Sequence, residues 1–485
     1  MINFRIIYKI IGSLLFIEAA LMLACLFVAL YFGEDDILTF AISIVITLLG
    51  ALNLKYFGRQ AENRLSRRDS FLVVTLVWIV FSIFGTMPFL IGGYLHSFTD
   101  AFFETMSGFT TTGATIIDNV EALPHGILFW RSLMHWIGGL GIVFFTVALL
   151  PSLVGGSTKV FAAEATGPIR TKLHPKLSMG AKWIWMVYLF ITFSCMGSYM
   201  FFGMNWFQGI TYAMSTAATG GFAIHNNSIA FFHSPAIEYT VSLFCFISGI
   251  NFTVLYFSVA KLKLKELWRD SEFRFYSIVV LGFTAFIAGE LIFRNQYDIE
   301  HGFRSALFQV VSFLTSTGFT SDDAALWPHV TWILLSACMF FGACSGSTSG
   351  GFKSVRSVML AKVIKNELVQ RLHPKAVLPL KIRGDNVPNS KRVSLLAFLA
   401  AYLLLIFIGS FIMVAAGIND VNAITISLSC LSNIGPTLGA EIGPTMSWSI
   451  LPDFIKWICS ILMLVGRLEI FTVLVIFTPS FWTRN

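Results

Sequence analysis

The strongest constraint on this chain is the recurrence, from one end to the other, of apolar segments about twenty residues long. At about 1.5 Å of rise per residue, one such segment covers the ~30 Å hydrocarbon thickness of a bilayer as a single helix. Inside hydrocarbon every backbone N–H and C=O needs a partner within the protein, so runs of this length select helices. Composition agrees, with 56% hydrophobic and only 12% charged residues, far from the balance of a soluble domain. The longest hydrophilic stretch, roughly 352–392, is too short and too lysine-rich for an independent catalytic or nucleotide-binding fold. The expectation is an all-α integral membrane protein that is not an enzyme.

The first apolar stretch, 10–32, follows Arg5 and Lys9 and has the flanks of a signal peptide. Its length, the lack of a small-x-small cleavage site and the trailing Glu34, Asp35 and Asp36 favour a retained helix. The cysteines (Cys25, Cys195, Cys245, Cys338, Cys344, Cys430, Cys459) are odd in number, lie in or beside apolar runs and show no metal spacing, so neither disulfides nor zinc are expected.

Basic residues near helix ends stay on the cytoplasmic side. Placing the N-terminus, 55–68, 159–182, 261–274, 353–392 and the C-terminus inside puts two, five, five, five, ten and one Lys or Arg there, 28 of 33. Both termini are then cytoplasmic. The net charge of +7 follows from this bias and implies contact with membrane lipid rather than nucleic acid.

Four short segments repeat along the chain: Thr110, Thr111, Thr112 and Gly113; Ala218, Thr219, Gly220 and Gly221; Ser316, Thr317, Gly318 and Phe319; Asn433, Ile434, Gly435 and Pro436. Centred on Gly113, Gly220, Gly318 and Gly435, they are separated by 107, 98 and 117 residues, room for a two-helix unit each time. Before each lies an apolar run too short to span (100–108, 206–216, 302–314, 420–431), and after each a full span.

The plan is therefore outer helices near 70–94, 181–203, 273–294 and 393–416, and inner helices near 126–150, 236–261, 329–363 and 450–478. Two helices, 10–32 and 37–57, precede them, making about ten spanning helices and four re-entrant loops. In segments, 1–68 is an N-terminal two-helix unit, and 69–180, 181–272, 273–391 and 392–485 are four pseudo-symmetric helix/pore-loop/helix repeats. Irregular backbone at membrane depth survives only against protein or a water-filled cavity, so the four loops should line one pore.

A dehydrating cation needs oxygen ligands, which rings of backbone carbonyls supply, and glycine reaches the φ > 0 backbone that aims successive carbonyls at one axis. None of the four segments contains Asp, Glu, Lys or Arg, which favours carbonyl and hydroxyl ligation and disfavours calcium.

On these four segments, the Gly/Ser-rich run 345–351 and Gly-Arg-Leu-Glu at 466–469, the chain resembles the Trk/Ktr/HKT superfamily of potassium transporters and channels over essentially its whole length. The resemblance implies potassium as the transported ion, bound at the filter residues named above, in the bacterial inner membrane. It also implies homodimers with one pore per subunit and a cytoplasmic nucleotide-binding ring resembling TrkA that controls gating. No cofactor bound by the chain is implied. Potassium and rubidium should be preferred over sodium, but without a Thr-Val-Gly-Tyr-Gly run, and with Asn433, Ile434 and Pro436 in the fourth loop, discrimination against sodium should be weaker than in a fully ringed filter.

Two features read as gate parts. The run Gly342, Ala343, Cys344, Ser345, Gly346, Ser347, Thr348, Ser349, Gly350 and Gly351 interrupts the third inner helix. Each helical glycine costs ~1 kcal/mol, so the run should form a loop across the pore, the alternative being a close-packing kink. Its end half resembles a phosphate loop but lacks the Gly-Lys dipeptide and a preceding strand. Arg467, central in the last inner helix, either opposes cations in the pore or is tied to a carbonyl or acid of the bundle; Glu469, two positions on, is not on its face. Lys456, Arg131, Arg294 and Arg304 sit nearer helix ends and read as interfacial. A symporter coupling potassium to protons or sodium is the competing transport reading, although Glu104, Glu290 and Glu469 form no relay. An intramembrane hydrolase using Ser345, Ser347 or Ser349 with His135 lacks a nucleophile motif.

Overall fold

A computed structural model of the chain describes residues 2–61, 65–141, 177–260, 264–376, 378–382 and 385–483. Among them six helices are long and apolar enough to cross a membrane: Phe4–Phe32, Asp36–Phe57, Arg67–Ile91, Gly180–Phe201, Ser271–Arg294 and Asn389–Ala415. The first two form a hairpin turned at Gly33, which takes φ 70° and caps the first helix. The third starts at a Ser66/Asp69 capping box, and Asp69 also accepts the Asn3 N–H at 3.0 Å, tying the N-terminal hairpin to the first outer helix. A two-stranded hairpin pairs Lys381–Ile382 with Asp385–Asn386 ahead of the last outer helix.

The four short segments ahead of the loops are half-length helices: Phe98–Phe109, Trp206–Ala218, Ile299–Leu314 and Asp420–Ser432, of 12, 13, 16 and 13 residues. Each follows a Ser, Asn or Asp at its N-cap, where such residues are favoured because their side chains can serve orphan backbone donors. Asn205 and Gln208 complete a reciprocal capping box. All four stop within a few residues of a loop glycine, so their C-terminal, partially negative ends converge on the loops.

The inner helices depart from the continuous spans read from hydropathy. His125–Leu140, Pro235–Ser248, His329–Phe341 and Asp453–Arg467 hold 16, 14, 13 and 15 residues and stop part-way. Pro235–Ser248 continues into Phe252–Ser258 through a 101° bend, and Asp453–Arg467 into Phe471–Phe477 through 107°. The rest of the first inner helix expected to 150, and residues 159–176 of the basic segment, lie outside the described residues. Close packing explains the breaks. A side chain on Gly138 would strike the Phe109 carbonyl, on Gly249 the Thr315 methyl, and on Gly466 the Leu431 carbonyl, so each glycine lets an inner helix lie directly on the end of a pore helix. The third inner helix breaks at Gly342, where the intramembrane run begins.

Candidate ion pathway and gate

The four loops share one backbone geometry. Thr111, Thr219, Ser316 and Asn433 all adopt left-handed φ of 52–56°, and two residues later Gly113, Gly221, Gly318 and Gly435 take φ of 76–96°. The second repeat is thus centred on Gly221, one residue beyond the Gly220 expected from spacing. All four positive-φ glycines line a single cavity, a vestibule on the loop side of the ring, together with Asp118, Thr320 and Trp448.

The loops interlock in a closed cycle. A Cβ on Gly113 would collide with the Gly220 carbonyl, on Gly221 with that of Thr317, on Gly318 with that of Ile434, and on Gly435 with that of Thr112 at 2.5 Å. Each glycine therefore abuts the carbonyl of the equivalent position in the next loop, and the cycle runs first, second, third, fourth, first. Hydroxyls brace it: Thr110 and Thr112 Oγ1 lie 2.8 Å apart and Thr315 and Thr317 Oγ1 2.7 Å. Asn433 Nδ2 donates to Thr112 Oγ1 at 3.0 Å, joining the fourth loop to the first.

Beneath this ring lies the run 342–351. Thr348 Oγ1 donates to the Ala217 carbonyl at 3.0 Å, the Gly350 N–H to Ser316 Oγ at 2.6 Å, and Gly350 packs on the Ser432 carbonyl. The run thus touches the second, third and fourth loops. Its far side is held by residues the sequence did not single out. Glu272 accepts from the Ser345 Oγ at 3.2 Å and the Val355 N–H at 3.1 Å, and Asn251 at the break of the second inner helix donates to the Ser345 carbonyl. Gly249 and Asn251 inside an apolar run were a readable signal of that break; Glu272, in the first turn of the helix Ser271–Arg294, carries no such local signal.

Arg467 is buried, and its guanidinium donates to the Thr348 carbonyl at 3.0 Å, to Gly139 at 2.7 Å and to Gly138. It bolts the intramembrane run to the end of the first inner helix. Glu469 instead pairs with Arg356, and the Lys353 ammonium donates to the Ser349 carbonyl.

The interfacial reading of three other cations is corrected. Arg131 is 2% exposed, pairs with the buried Glu104 at 2.9 Å and donates to the Ala223 carbonyl at 2.9 Å. Lys456 is buried against Asp100 at 2.6 Å, and Arg304 pairs with Glu238 at 2.9 Å. Each pair joins an inner helix to a pore helix, where an unpaired charge would be costly, so both partners are drawn inward. Arg294 does stay on the surface, paired with Glu290. In the vestibule, burial holds the His225 imidazole below its ordinary range, and Glu121 at 3.2 Å opposes that shift.

Residues 37–484 match the TrkH family of cation transport proteins. The chain belongs to the TrkH family. Relatives span it from end to end. The Trk system potassium uptake protein TrkH of Halomonas elongata is 37% identical over 485 residues, covering 99% of this chain and 100% of the relative. The protein of that name from Escherichia coli is 36% identical over 483 residues, 99% of each. The crystal structure of the potassium transporter TrkH from Vibrio parahaemolyticus superposes with a TM-score of 0.89 at 34% identity, covering 99% of this chain and 100% of that one.

Proposed function

We propose that this TrkH-family chain takes up potassium by channel-like permeation through the ring of loop carbonyls, gated by the run 342–351. One observation carries the reading: four equivalent carbonyls, of Thr112, Gly220, Thr317 and Ile434, are each packed against the positive-φ glycine of a neighbouring loop. Oxygens so arranged can replace the water shell of a monovalent cation, and the C-terminal ends of four pore helices favour positive charge there. The relatives named as potassium uptake proteins support potassium as the ion. Filter contacts are assigned to the residues named from the sequence. In the same reading the protein is a homodimer in a bacterial inner membrane with cytoplasmic termini, and a nucleotide-binding ring resembling TrkA acts on the gate. Rubidium uptake into liposomes containing the purified protein tests it: flux should run down the rubidium gradient alone. Flux that appears only with a proton or sodium gradient would replace the channel with a coupled symporter.

A further inference from the structure

At the ring position, the first, third and fourth loops carry Thr112, Thr317 and Ile434, whereas the second carries Gly220. Gly220 is not among the left-handed residues, so its backbone makes no demand for glycine. Space does. A Cβ at Gly220 would run into the imidazole of His135, a buried residue of the first inner helix.

That imidazole also engages the loop directly. The Phe222 N–H donates to His135 Nδ1 at 3.3 Å, and the His135 ring stacks on Phe222 with centroids 4.1 Å apart and planes 13° apart. Accepting at Nδ1 places the ring proton on Nε2 and requires the neutral form. One turn earlier, Arg131 donates to the Ala223 carbonyl at 2.9 Å and lies 4.1 Å over the same Phe222 ring. On the other side of the ring carbonyl, the Gly220 N–H donates to Ser215 O at 2.9 Å. The peptide that carries the Gly220 carbonyl is thus pinned from both sides, and the downstream pin is His135.

We propose that His135 is a positioning residue for ion selectivity, aiming the Gly220 carbonyl into the ring, and that Gly220 is glycine because His135 occupies the space of its side chain. This rests on the carbonyl ring being the ion path. Loss of one hydrogen bond at the ring should lower the potassium-to-sodium preference by about fivefold to tenfold.

The test compares potassium and sodium flux in liposomes for His135→Leu, which removes the acceptor, and His135→Asn, whose Oδ1 can take the place of Nδ1. Leucine should show that loss, and asparagine should stay within about twofold of the parent. Gly220→Ala should impair selectivity in the parent and far less in a His135→Ala background. A merely structural histidine would alter melting temperature and yield but leave the ion preference of folded protein unchanged for both variants. That result, or equal effects of Gly220→Ala in the two backgrounds, overturns the assignment. Gly318→Ser serves as the control for the ring: if it relaxes selectivity while His135→Leu does not, only the histidine assignment fails, and if neither does, the ring itself fails. Should His135→Leu not fold, the Gly220→Ala comparison decides.

Discussion

Replacing Arg467 by alanine separates the gate from the scaffold. Among the described residues the guanidinium donates to the intramembrane run at the Thr348 carbonyl and to the end of the first inner helix at Gly138 and Gly139. A charge-assisted hydrogen bond contributes ~1.5 to 3 kcal/mol. Losing the bond to Thr348 should therefore shift the run from its seated to its released position by a factor of about ten or more, since ~1.4 kcal/mol is tenfold. Basal flux through partner-free protein should rise in proportion. The Gly138 and Gly139 carbonyls lose a charge-assisted donor as well, Gly138 keeping the Gly141 N–H, at ~1.5 to 3 kcal/mol for each bond lost, so melting temperature should fall at the same time. Lysine keeps the charge but has neither the planar fork nor its reach, and should lie between arginine and alanine in both measurements. Rubidium flux in liposomes, normalised to folded protein by size exclusion, reads the first effect, and thermal unfolding in detergent reads the second. Rising flux with an unchanged melting temperature would mean that Arg467 acts as a bare electrostatic barrier. Reduced flux in folded protein would refute the bolt altogether.

Three further outcomes are expected. Serine at Gly113, Gly221, Gly318 or Gly435 should relax potassium-to-sodium preference, because each side chain meets a neighbouring loop at positive φ; unchanged preference in liposome flux for all four would remove the carbonyl ring. Deleting several residues between Ala343 and Gly350 should raise basal rubidium flux by releasing contacts to Ala217 and Ser316, and low flux in well-folded deletion protein would make the run a structural kink. Glu104→Leu leaves the buried Arg131 guanidinium unpaired and should cost about 3 to 5 kcal/mol, seen as lower folded yield and melting temperature and partly recovered by Arg131→Met; an unaltered melt would show that the pair contributes little.

Membrane insertion and the repeat plan were legible in the amino-acid sequence because both depend on local composition. Partition of an apolar run into lipid needs no knowledge of its neighbours, and the half-length runs before the four glycine-bearing segments announced pore helices residue by residue. The interruption at 342–351 was legible for the same reason, as a cluster of poor helix formers. What the sequence could not resolve was every choice made by a distant partner. Gly220 and Gly221 are locally equivalent, and only the Thr317 carbonyl on one side and the His135 ring on the other decide which glycine bears the positive φ. Arg467 finds carbonyls at positions 138, 139 and 348, while the nearby Glu469 goes to Arg356. Arg131 and Lys456 read as interfacial by position in their helices, yet acids on a pore helix draw them into the protein. Hydrophobic partition is a property of a segment, whereas satisfying a buried charge or carbonyl at membrane depth is a property of whatever the fold brings beside it.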